Sequence, residues 1–73
     1  MKYLVVIENG ASGWGAHVPD LPGCVATADS RDEVVRLIRE AIDMHLHDMR
    51  TKGERPPKPS SEGEMVEVDA AQQ

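Results

Sequence analysis

The sequence predicts an α+β domain of order β-β-β-α-β, an antiparallel meander covered on one face by a single amphipathic helix and closed by a final edge strand. Three observations predict it. Short stretches with apolar residues at alternate positions, parted by Gly- and Pro-bearing turns, read as strands. One long stretch after Ser30 carries apolar residues at helical spacing. A proline-bearing connector then leads into a last alternating stretch.

The first strand is read over Lys2 to Ile7. Tyr3, Val5 and Ile7 fall on one face, Leu4 and Val6 on the other. Both faces are apolar, so this strand is expected inside the sheet with little contact to water. Glu8 to Gly13 has loop chemistry, and Trp14 to Val18 reads as the second strand of a hairpin. Pro19-Asp20-Leu21-Pro22-Gly23 must interrupt the ladder, because proline lacks a donor and glycine permits positive φ. A short third strand, Cys24 to Ala28, follows.

Ser30 with Glu33 three residues later makes a capping box, and a helix is expected over Arg31 to Lys52. Val34, Ile38, Ala41, Ile42, His45 and Met49 cluster on one side, flanked by Val35, Leu37 and Leu46. Arg36, Arg39, Glu40, Asp43, His47 and Arg50 fall opposite. Asp32–Arg36, Arg36–Glu40 and Arg39–Asp43 are spaced for i,i+4 pairing. Gly53 is placed to end the helix, and Pro56 prevents its continuation. Pro56-Pro57-Lys58-Pro59 should run extended as a rigid connector. Glu64 to Val68, with Val66 and Val68 on one face, suits the final strand. Residues 1–69 thus read as one domain and residues 70–73 as a frayed tail.

The chain has 73 residues, which limits it to one small domain with a thin stability margin. Cys24 is its only cysteine, so no disulfide can form within the chain. Self-association is the remaining way to add stability. It also answers a second need, since one helix can cover only one face of the sheet and Leu4 and Val6 require another cover. The net charge is −5 with no basic cluster, which argues against a surface that tracks nucleic-acid phosphates. Acidity can steer a basic partner, or it can simply keep the protein soluble. No apolar run is long enough to span a bilayer and no signal peptide is recognisable, so a cytoplasmic protein without membrane contact is expected.

The segment Val18-Pro19-Asp20-Leu21-Pro22-Gly23-Cys24 resembles the V-P-D-L-P-G-C type turn of the HicB-like antitoxin family. Glu40-Ala41-Ile42-Asp43-Met44-His45-Leu46 is similar to the E-A-I-x-x-H-L core of the helix that follows in that family. The resemblance covers about residues 2–68. It implies a partial ribonuclease-H-like fold that usually lacks the enzyme's catalytic carboxylates. It also implies a partner of HicA type, a small basic ribonuclease that cuts mRNA and that the antitoxin masks. Many family members carry a further DNA-binding domain. This chain ends at Gln73, so it is not expected to bind operator DNA directly.

Little in the sequence suggests catalysis. Glu8, Asp20, Glu40 and Asp69 are the carboxylates a metal-dependent nuclease could use, but they are scattered, and two-metal chemistry needs convergence. His45 and His47 are two residues apart on the helix and cannot share one metal, and no zinc spacing involves Cys24 or His17. No metal or cofactor is therefore expected, and the protein reads as a non-enzyme. Asp20 suits an Asx-type turn, or a contact to a partner. His45 reads as a core residue and Cys24 as a small buried hydrophobe. Ser12, Ser30, Ser60 and Ser61 lack the context of a nucleophile. Trp14 suits equally an interface anchor or core packing.

Asp20, Trp14, Glu40 and Asp43 are the candidate partner-binding residues. Pro19, Asp20, Pro22, Gly23, Cys24, Ser30, Glu33 and His45 are the candidate structural ones. Two functions follow. One is an antitoxin-type module that masks a basic ribonuclease. The other is a stand-alone homo-oligomeric module without a toxin, a scaffold or small-ligand binder. A metal-dependent nuclease is a remote third.

Overall fold

The computed structural model describes residues 1–70. Three strands form an antiparallel meander of order β1-β2-β3: β1 Val6–Gly10, β2 Gly13–His17 and β3 Val25–Ala28. A single helix, α1 Arg31–Thr51, crosses one face. The hairpin register sets Val6 opposite His17, Ile7 opposite Ala16 and Asn9 opposite Trp14. On the other side of β2, Ala16 faces Ala26 and Trp14 faces Ala28. Side chains alternate along each strand, so Ile7, Trp14, Ala16, Ala26 and Ala28 share the face that packs on the helix. The core is Ala16, Val18, Leu21, Cys24, Val34, Ile38 and Leu46, and among the described residues no polar one is buried with it.

The first strand begins later than the apolar pattern suggests. Residues 2–5 lie outside the sheet, while Glu8, Asn9 and Gly10, read as loop, pair as strand. The cause is the partner. Beyond His17 the chain enters Val18-Pro19-Asp20 and turns away, so residues 2–5 have no ladder to join. The hairpin closes in two residues, Ala11 and Ser12, between the paired Gly10 and Gly13. Gly13 is required there: its φ is +137°, and a Cβ would lie 2.8 Å from the Ala28 carbonyl oxygen.

The loop after β2 is closed by its own backbone. The Val18 N–H donates to the Cys24 carbonyl (3.1 Å), Leu21 N–H to Val18 (3.0 Å) and Cys24 N–H to Leu21 (3.0 Å). This aims Leu21 inward, where it is fully buried. Gly23 adopts φ +84°, the left-handed conformation glycine tolerates best.

The helix starts as the capping box suggests, in half of its form: the Glu33 N–H donates to Ser30 Oγ at 3.2 Å. Its end is a Schellman motif, with Gly53 (φ +75°) donating to the Arg50 carbonyl and Glu54 to that of Met49. Val34, Ile38 and Leu46 are buried, and Val35, Ala41 and Ile42 pack around them. Arg36 pairs with Glu40 at 3.4 Å, and a pair not foreseen, Lys52 with Asp48, closes at 3.0 Å.

The final strand is absent among the described residues, and the expected β-β-β-α-β order stops at β-β-β-α. Glu64 to Val68 pairs with nothing, and Met65, Val66 and Val68 are exposed. Consequently β1 is an edge of the sheet and not an interior strand. Alternation alone does not make a strand; a ladder partner does. Of the tail expected over residues 70–73, all but Ala70 lies outside the described residues.

Candidate partner-binding surface

The connector after the helix is held to the body by side chains from its opposite end. The Tyr3 hydroxyl donates to the Pro57 carbonyl. Asp20 accepts four hydrogen bonds: the Ser60 and Ser61 amides on Oδ2 at 2.8 and 3.0 Å, and their hydroxyls on Oδ1 at 3.1 and 2.7 Å. The Ser61 and Ser60 amides, followed by the hydroxyls, hold the Asp20 carboxyl down at about 2. The Asx-type turn is thus corrected. Asp20 does not cap its own loop, which the backbone already closes; it clamps a segment forty residues away. Nothing in the local spacing signals that Ser60 and Ser61 are its partners. Their only sequence hint is a pair of hydroxyl residues straight after a proline run.

At the other end of β2, the hairpin and the start of the helix enclose an open cleft of about 600 Å³. Trp14 forms its half-buried wall, packed against the core on one side. Glu8 from β1, Asp29 from the β3–α1 turn and Glu33 from the first helical turn line it, and none of its lining residues is basic. Sequence reading named Trp14 but missed this gathering, because the three carboxylates come from three separate elements. Glu40 and Asp43 lie exposed on the outer helix face, and neither they nor Asp20 borders the cleft.

The sheet face away from the helix is bare. Val6, His17 and Val25 form one cross-strand row on it and Glu8, Gly15 and Thr27 the next. Val25 is 63% exposed. A Cβ at Gly63 would lie 3.4 Å from the half-buried Leu4 side chain.

Cys24 is buried, and burial pushes its thiol above the usual range, away from the reactive thiolate. His45 is half-buried beside the core, and His17 and His47 are exposed. Among the described residues, no group of three or more His, Cys, Asp or Glu is disposed to hold a metal ion. No helix among them is long and apolar enough to cross a membrane. What this geometry offers chemically is two surfaces: an acidic, aromatic-walled cleft and a mixed sheet face on which Val25 is the exposed apolar residue.

The family model described as "HicB_like antitoxin of bacterial toxin-antitoxin system" matches residues 3–72. An Antitoxin HicB 2 of Photorhabdus laumondii is 33% identical, over 97% of this chain and 52% of its own length. An uncharacterized 14.9 kDa protein of Haemophilus phage HP1 is 36% identical, over 80% of this chain and 44% of its own. A UPF0150 protein of Thermoplasma acidophilum is 32% identical, over 85% and 91%. The chain therefore spans about half the length of the first two relatives and most of the third. Turn, capped helix and matched span agree: this chain belongs to the HicB-like antitoxin family of bacterial toxin–antitoxin systems.

Proposed function

We propose that the chain binds and masks a small basic ribonuclease of HicA type, and that it does so without catalysis of its own. The observation that carries this reading is the open cleft at the hairpin end, which Glu8, Asp29 and Glu33 line together with Trp14 and no basic residue. Three carboxylates in one concave site attract a cationic surface, and the field accelerates encounter more than it deepens affinity. Trp14 supplies the large apolar contact that slows dissociation once water is excluded. Covering the toxin's RNA-binding surface then blocks it sterically. The family membership and the relative named Antitoxin HicB 2 support the reading.

The test is co-purification with a HicA-type toxin, sought first in the reading frame next to this chain's gene, followed by binding kinetics and an RNA-cleavage assay. Association is expected to slow by about tenfold between low and high salt. Neutralising the cleft with Glu8→Gln, Asp29→Asn and Glu33→Gln should slow it similarly, whereas Trp14→Ala should act on dissociation. Kinetics indifferent to salt and to all four substitutions would exclude the cleft as the docking site.

A second reading, a homo-oligomeric module with no toxin, is favoured by the bare sheet face, where Val25 is 63% exposed. A stable dimer of the full chain that protects no RNA and retains no HicA-type product would support it.

A further inference from the structure

We infer that residues 64–68 form an exchange arm, which completes the sheet of a second copy of this chain by adding a strand to the free edge of β1.

The donor is visible in the shape of the molecule. Glu64-Met65-Val66-Glu67-Val68 is unpaired, and Met65, Val66 and Val68 are 95%, 71% and 65% exposed. The radius of gyration is 14.8 Å, against about 11 Å for a compact chain of this length. The long axis measures 52 Å, while the helix accounts for only about 31 Å at 1.5 Å per residue. An apolar strand-length segment held away from its own body is costly in a monomer, and it is what a strand donor requires.

The acceptor is equally visible. β1 has a partner on one side only. Its sequence, Val6-Ile7-Glu8-Asn9-Gly10, contains neither the lysine nor the proline that commonly protect an edge. At the start of that edge, between residues 1–7 and the helix, lies a groove of about 400 Å³ lined by Tyr3, Val5, Ile7, Val35, Ile38 and Ile42. A strand laid along β1 would send alternate side chains to opposite faces. Val66 and Val68 would enter the groove together, and Met65 would fall on the bare face beside Val6. Lys2 and Arg39 also border the groove, and the same alternation puts Glu64 on that side, so the charges there are complementary although the chain as a whole is acidic.

A second copy is the occupant because the arm's base is fixed. The Tyr3–Pro57 bond and the four bonds from Ser60 and Ser61 to Asp20 hold the chain up to its hinge. Beyond Gly63 it departs and leaves its own groove unfilled. Donor and acceptor on one chain allow two copies to exchange arms about a two-fold axis, which satisfies both and leaves no open end. This inference needs no toxin and stands apart from the masking reading.

Sedimentation velocity of the full chain at micromolar concentration tests it, and a dimer is expected. Val66→Asp with Val68→Asp should raise the dissociation constant about a hundredfold or more, because two buried valines are replaced by charges. The helical circular dichroism of the dilute monomer should not change, since both positions are exposed there. Ile7→Cys with Val66→Cys, oxidised, should give a covalent dimer on a non-reducing gel. A parent chain that stays monomeric, a dimer indifferent to the two aspartates, or a disulfide closed within one chain would each overturn the exchange. A ladder of higher species would overturn its closed two-fold form.

Discussion

The loop Val18–Cys24 and the segment 56–68 are both proline-bearing and both lack regular structure, yet they are held in opposite ways. The loop is held by burial. Three backbone hydrogen bonds fold it so that Leu21 is fully enclosed, with Val18 and Cys24 almost as deep. The later segment is held by polar ties at Tyr3 and Asp20 and contributes nothing to the buried core. The difference teaches where each carries stability. Damage to the first should melt the domain. Damage to the second should loosen one strip of chain and leave the domain folded.

The largest expected effects are therefore in the loop and the helix face it meets. Leu21→Ala and Ile38→Ala should each lower the unfolding free energy by about 2–5 kcal/mol in urea titrations, enough to unfold much of a domain this small. Leu21→Ala melting like the parent would end the comparison, since the loop would then carry no more than the tail. Next come the glycines. Gly13→Ala brings a Cβ to 2.8 Å from backbone oxygen at positive φ, and about 1–3 kcal/mol is expected. Gly23→Val meets open space, so only backbone strain of about 1–2 kcal/mol applies. Thermal melts should rank the two in that order. Ser30→Ala removes the helix cap and should cost about 1 kcal/mol by the same melts.

The smallest global effect belongs to Asp20→Ala. Hydrogen exchange should quicken at the Ser60 and Ser61 amides while Val34 and Ile38 stay protected. The same clamp responds to pH. Its carboxyl lies near 2 when folded, below the ordinary value of about 4. The ionised form is thus the one the fold favours. The stabilisation is complete above about pH 4, fades as pH falls towards 2 and is gone below it. Exchange at Ser60 and Ser61, corrected for its intrinsic pH dependence, should follow that window. A clamp unaffected there would mean that the hydroxyls and not the charge hold it.

The same contrast explains what could be read from the sequence. Ser30, Glu33 and Gly53 announced both ends of the helix because caps are local. Val34 and Ile38 were legible as core from spacing alone, whereas Leu46, placed on the flank, proved fully part of it. The first strand was misplaced by several residues because its limits depend on where Pro19 diverts β2, which no pattern within residues 2–7 records. The last strand failed for a related reason: Val66 and Val68 alternate correctly but meet no ladder in their own chain. The acidic cleft was hidden because Glu8, Asp29 and Glu33 are remote in sequence. Asp20 was conspicuous, but its partners forty residues on were not.

Tyr3 and Pro57 are separated by 54 positions and Asp20 and Ser60 by 40, whereas the hairpins and the helix close over short spans. Loops that wide lose more entropy on closing and yield few contacts in return. In folding, the meander and helix can form first, and the final stretch then fastens onto a finished surface. A chain cut just beyond Gly53 is accordingly expected to resist protease already, the last residues serving only as a latch.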